Sequence, residues 1–271
     1  MQQPYVWLIG GTSDSAKVAA LLTQAGIPYV VSVTTRAAIA LYPRTPPARI
    51  WVGRLTPVDL PAFLHQHRIG AIVDASHPFA VEISQHAIAA ATALNLPYLR
   101  YERPPLEPDL TSSPPAIATD QLIFSDISAL LASQILVNQR VLLILGYRPL
   151  AHFLPWQTQT TLFARILPSV TALEAAIAAG FTPDRILALR PPLSAQLEQA
   201  LWQHWHISLV VTKASGRSGG EDIKRQVAQT LGIPLITIAR PPMTYPQQTS
   251  DMATVTAFCQ HHCPPNATRI P

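Results

Sequence analysis

Residues 5 to 15 read Tyr5-Val6-Trp7-Leu8-Ile9-Gly10-Gly11-Thr12-Ser13-Asp14-Ser15. Five aromatic, β-branched or aliphatic residues form a short apolar run of strand length, two glycines break it, and a hydroxyl-rich stretch opens a helix. The inward stripe of that helix is Val18, Leu21, Leu22 and Ala25, and Gly26 follows as its terminating residue. Tyr29 to Val33 is the next strand. A strand, a glycine turn, a helix and a second strand make a βαβ unit, and chains built from such units form parallel sheets with helices packed on their faces.

Moving outward, the rhythm continues. Thr56 and Pro57 have the form of an N-cap and first helical residue, with Leu60, Phe63, Leu64 and His67 as the buried stripe. A strand over Ala71 to Asp74, a helix over Val81 to Leu94 and a strand over Tyr98 to Arg100 complete the first sheet. Residues Pro104 to Thr119 hold five prolines without periodicity and read as a linker or long loop. Beyond them strands fall near Val141 to Leu145, Thr161 to Leu167, Ile186 to Leu189, Leu209 to Thr212 and Leu235 to Ile238. The expected organisation is α/β in two domains, residues 1–115 and 116–271, with no short sequence repeat relating them.

Composition narrows the function classes. No apolar run approaches the roughly 20 residues of a membrane helix, and the start has no secretory pattern, so a soluble cytoplasmic protein is expected. Two cysteines, Cys259 and Cys263, supply no disulfide framework. The net charge of +4 comes from only 13% charged residues. These cations form no stripe interleaved with aromatics, so the expected partner is an anionic small molecule rather than nucleic acid.

Gly10, Gly11, Thr12 and Ser13 sit where a helix start favours negative charge and glycine lets a phosphate approach the backbone. They are the candidate pyrophosphate site, although the full G-x-G-x-x-G pattern is absent and a plain turn capped by Thr12 or Ser13 stays open. After the second strand come Thr34, Thr35 and Arg36. No carboxylate stands there for a ribose hydroxyl, whereas two hydroxyls and a guanidinium suit a 2′-phosphate, so NADPH is expected with NADH as the alternative. A solvated arginine is the plainer reading. Asp74, Ser76 and His77 follow the next strand, with His77 or Asp74 as candidate proton donor and a helix or turn cap as the alternative for each. In the second half Lys213, Ser215, Gly216, Arg217 and Gly220 lie between a strand and a helix and make a second anion-binding candidate, or a flexible surface loop. Its Lys precedes the glycines, unlike a P-loop. The Cys259-Gln260-His261-His262-Cys263 tail has no partner cluster elsewhere, and no metal is expected.

The motifs GGTSDS (10–15), GRL (53–55), DASHPFA (74–80), RYERP (100–104), TKASGRSGG (212–220) and RP (240–241) together resemble the precorrin-6A reductase family, including its cobalt-precorrin form. The resemblance spans about Leu8 to Pro241 and implies two Rossmann-like domains with mainly parallel sheets. It also implies cofactor and macrocycle in the cleft between them, and hydride transfer to the C18–C19 double bond in cobalamin biosynthesis. On that basis Gly10 to Ser13 and Thr34 to Arg36 hold the nucleotide and Ser76 and His77 lie near the nicotinamide. Lys213, Ser215, Gly216 and Gly220 close over a tetrapyrrole. The chain departs from the family at Arg190-Pro191-Pro192-Leu193-Ser194, where a Gly-Pro-Phe-Ser-like turn is usual. Two other readings stand beside it, a reductase of a different small substrate and a non-catalytic tetrapyrrole or nucleotide carrier. The oligomeric state is not legible.

Overall fold

Paired strands are parallel throughout both sheets, as crossover helices require. A computed structural model describes residues 3–46, 49–106 and 121–265. The chain forms two units, Met1–Pro104 with Pro242–Pro271, and Pro105–Pro241.

In the first unit β1 (Tyr5–Ile9) leads through α1 (Ser13–Gln24) to β2 (Tyr29–Val33) and β3 (Ile50–Val52). Next come α2 (Leu60–Gln66), β4 (Ile69–Asp74), α3 (Val81–Ala93) and β5 (Tyr98–Tyr101). Alternation along the strands supplies two apolar faces. Val6, Leu8, Val31, Val73 and Leu99 pack with Val18 and Leu22 of α1 on one side. Trp7, Ile9, Val30 and Ile72 pack with Leu60, Phe63 and Leu64 of α2 and Ala87 of α3 on the other. Burial of both faces forces the strands to be apolar along their whole length, which is why they read as runs and not as alternation.

The second unit holds β6 (Gln121–Phe124), α4 (Ile127–Ala132), β7 (Arg140–Ile144), β8 (Thr161–Ile166), α5 (Val170–Ala178) and β9 (Ile186–Ala188). It continues with α6 (Ala195–His204), β10 (Leu209–Lys213), α7 (Glu221–Leu231) and β11 (Leu235–Ile238). The chain then forms β12 (Gln248–Thr249) and α8 (Met252–His262).

Those last two elements correct the expected division at residue 115. β12 pairs with β5, and Val255, Phe258, Cys259 and Cys263 join the apolar face that α1 covers. The C-terminal segment therefore belongs to the first unit. A strand of two residues carries no periodicity, so nothing local announced its pairing. The proposed linker lies mostly outside the described residues. Thr56 and Pro57 also differ from expectation: the Thr56 amide and hydroxyl both donate to Asp59 Oδ2, and this turn delays the helix until Leu60.

From one edge the first sheet runs β3-β2-β1-β4-β5-β12, the 3-2-1-4-5-6 order of dinucleotide-binding sheets. Its direction of winding reverses between β1 and β4. The second sheet runs β9-β8-β7-β10-β11-β6 and reverses between β7 and β10. In open α/β sheets ligands bind beyond the strand C-termini at such reversals.

Candidate functional site

Register brings three loops to one edge of the first sheet. Ile9 of β1 stands level with Ser32 of β2 and with Asp74 of β4. The chain thus leaves the sheet at Gly10, Thr34 and Ala75 within about two residues of a common level. The two glycines have separate reasons. A Cβ on Gly10 would meet the Tyr42 hydroxyl at 2.4 Å and Val31 at 2.7 Å, so packing requires a glycine there. Gly11 has φ +97°, and a Cβ there would meet nothing within 4 Å. Gly11 faces open space at the start of a helix, a cradle that fits a phosphate and that a side chain would fill.

Thr12 is the N-cap of α1, its hydroxyl accepting from the Ser15 amide while Ser15 Oγ accepts from the Thr12 amide. This capping box turns both hydroxyls inward, so of the two readings of the turn the Thr12 side chain takes the cap. Ser13 remains exposed. The acid of the first turn, Asp14, would oppose an anion, but Arg103 reaches it at 2.8 Å and both are largely buried. Thr34, Thr35 and Arg36 are exposed, and Thr35 precedes a two-turn 3₁₀ segment over Arg36–Leu41.

Asp74 is 0% exposed. It accepts from the Ser76 amide at 3.0 Å, Tyr98 Oη at 2.7 Å, Arg100 Nη1 at 2.8 Å and Ser84 Oγ. A carboxylate filled by four donors and closed to solvent cannot hand a proton to a ligand, so the reading of Asp74 as catalytic donor is corrected: it is a positioning group. Arg100, equally buried, bridges Asp74 to Glu102 and donates to Ser76 Oγ at 3.0 Å. Burial and the Asp74 charge push the Tyr98 phenol far above its ordinary range. Ser76 is thus held from two sides and is itself buried. His77 is half-buried, and its Nδ1 accepts from the Phe79 amide at 3.2 Å. That bond places the proton of the neutral ring on Nε2.

In the second unit β10 ends at Lys213, level with Ile238, and Thr212 is level with Ile144 of β7. Burial, and then the neighbouring Arg148 charge, bring the Lys213 ammonium down to about 8. Arg148 follows β7 across the reversal point. The loop itself is folded inward. The Gly216 amide donates to Glu221 Oε2 at 2.7 Å, the Gly219 and Gly220 amides donate to carbonyls of Gly216 and Arg217, and Lys224 Nζ holds the Gly219 carbonyl at 2.8 Å. Ser215 is buried, its hydroxyl so close to Gly219 that a Cβ on that glycine would lie 2.2 Å from it. Ser215 and Gly216 therefore shape the loop, a correction to their expected contact with substrate. Gly220 adopts φ +67° to enter α7. Lys213 is half-buried and Arg217 exposed.

Tyr42, Arg103, Arg148, Glu221 and Lys224 were not singled out from the sequence. Arg148 had a signal, since Gly146-Tyr147-Arg148 leaves a strand end as Gly10 does. Tyr42 had none. Cys259 and Cys263 are core residues whose thiols burial raises to about 12 and about 11. Arg190 is exposed beside a cis Pro191–Pro192 bond, and Ser194 caps α6.

The strand order, the positive-φ glycine at the first reversal point and the exposed hydroxyls beside it place the chain among doubly wound α/β proteins with a dinucleotide-type turn. The chain belongs to the family described as "Precorrin-6x reductase CbiJ/CobK", which matches residues 5–260. It is an oxidoreductase acting on a CH–CH group, and its cofactor class is a reduced nicotinamide. It is 49% identical over 262 residues to cobalt-precorrin-6A reductase of Synechocystis, covering 96% of this chain and 97% of that one. Cobalt-precorrin-6A reductase of Priestia megaterium is 32% identical, covering 89% and 92%. A solved structure described as "CobK precorrin-6A reductase" shares the fold, with TM-score 0.78 at 24% identity over 97% of this chain and 100% of that one. Among the described residues no helix is long and apolar enough to cross a membrane.

Proposed function

We propose that this protein uses NADPH to reduce the C18–C19 double bond of precorrin-6A or its cobalt form, as a soluble cytoplasmic enzyme. The observation that carries the cofactor reading is the pairing of an open, positive-φ Gly11 with an exposed Thr34-Thr35-Arg36 at neighbouring strand ends. The first suits a pyrophosphate, the second a 2′-phosphate. A bound reduced nicotinamide supplies the hydride. The chain's own part is placement and a proton. Asp74 and Arg100 fix Ser76, and the next residue carries the imidazole. His77, protonated to imidazolium once Nδ1 releases the Phe79 amide, donates from Nε2 the proton that completes addition across the double bond and returns to the neutral ring. Lys213, Arg148 and Arg217 take carboxylates of the tetrapyrrole.

The test is incubation of the protein with precorrin-6A and separately with its cobalt form, following NADPH absorbance. One NADPH oxidised per macrocycle reduced is expected with at least one of them. Binding without oxidation would instead mark a carrier. Oxidation with another imine or enone but neither macrocycle would mark a different reductase.

A further inference from the structure

Tyr42 ends the segment that carries Arg36, and its ring is 3% exposed in the core under α1. Its hydroxyl lies 2.7 Å from the Gly11 amide and 2.6 Å from Ser15 Oγ. Ser15 Oγ is 2.8 Å from the Thr12 carbonyl, and Thr12 Oγ1 is 2.8 Å from the Ala75 carbonyl. Each hydroxyl has one hydrogen, and amides only donate, so the chain of bonds has one consistent direction. The Gly11 amide donates to Tyr42, Tyr42 to Ser15, Ser15 to the Thr12 carbonyl, and Thr12 to the Ala75 carbonyl. This buried relay joins the loops after β2, β1 and β4, which are the three loops of the candidate cofactor site. Gly10 is confined to glycine by the same Tyr42 hydroxyl.

We propose that Tyr42 is a positioning residue that couples recognition of the 2′-phosphate to the shape of the pyrophosphate turn, an inference that rests on the NADPH reading above. Without the hydroxyl, the Gly11 amide loses the acceptor that sets the conformation of the turn, and the 36–41 segment loses its tie to it. Both halves of the dinucleotide site then loosen together. NADH, which lacks the 2′-phosphate, feels only the change at the turn.

The experiment is titration of the unmutated chain and of Tyr42→Phe with NADPH, NADH, 2′,5′-ADP and 5′-ADP, alongside thermal unfolding. Tyr42→Phe keeps the ring and its packing. NADPH affinity is expected to fall about five- to tenfold, the scale of one lost hydrogen bond, with a smaller fall for NADH, so that the preference narrows. Ser15→Ala cuts the same relay from within α1 and is expected to move the preference in the same direction, which keeps the test intact if Tyr42→Phe does not fold. An unchanged preference in both variants, whether or not melting temperature falls, overturns the inference. Equal affinity of the unmutated chain for 2′,5′-ADP and 5′-ADP removes the reading of Thr34 to Arg36 itself, and the inference with it.

Discussion

Two glycine-rich loops leave two sheet reversals, and they offer an anion opposite things. After β1 the acid of the first helical turn is ion-paired with Arg103, the Gly10, Gly11 and Thr12 amides are taken by Ser32, Tyr42 and Ser15, and Gly11 and Ser13 are exposed with open space in front of Gly11. After β10 the amides of Gly216, Gly219 and Gly220 are consumed inside the loop, and α7 begins with two acids, Glu221, ion-paired with Arg225 as Asp14 is with Arg103, and Asp222. The loop also carries side-chain charge, from Lys213, Arg217 and neighbouring Arg148. The first reversal offers exposed backbone and open space at a helix start, suited to a pyrophosphate, and the second offers side-chain charge suited to carboxylates. Glycine content alone does not separate them, because glycine serves a ligand in one and the loop's own folding in the other.

The largest expected effect breaks the frame of the first site. Asp74→Ala leaves Arg100 short of its buried counter-ion and is expected to cost about 3–5 kcal/mol in urea unfolding. A loss under about 1 kcal/mol, the range of exposed pairs, would show that Arg100 does not depend on it. Next, Gly11→Val forces a β-branched residue to positive φ and fills the phosphate space. NADPH binding is expected to fall by roughly a hundredfold or more, with about 1–3 kcal/mol lost in stability. Near-normal titration of the folded variant would move the phosphates elsewhere. Arg36→Ala sharpens the nucleotide assignment: it is expected to weaken NADPH by about 1–3 kcal/mol and leave NADH nearly unchanged.

The smallest effect concerns the second site and its pH dependence. Lys213, at about 8, is charged below that value and loses its charge as pH rises through it. Attraction for substrate carboxylates is then full on the acid side and lost on the alkaline side. Steady-state kcat/KM is expected to decline with an apparent pKa near 8, falling about tenfold one pH unit beyond it. Lys213→Arg, which stays charged, is expected to flatten that limb, and an alkaline fall that survives in the variant belongs to another group.

The reach of the sequence can be judged from these same residues. β1, α1 and β2 were legible because burial on both sheet faces demands apolar runs, and Gly10-Gly11 punctuates them. The candidate loops were legible because each follows such a run. Asp74 was visible but misassigned, since its donors lie on β5 and α3, far along the chain. Ser215 and Gly216 looked like ligand contacts because the loop's inward folding depends on Glu221 and Lys224, whose side chains reach back from the helix. β12 was invisible at two residues, and with it the return of the chain to the first unit.

The division of labour between the two loops is tested most directly by Lys213→Ala, titrated with NADPH in the absence of substrate and then assayed for turnover of the macrocycle. NADPH affinity within about twofold of the unmutated chain, together with a fall of about tenfold or more in kcat/KM, is the expected result. An equal loss in both measurements would place the cofactor at the second loop and contradict the account.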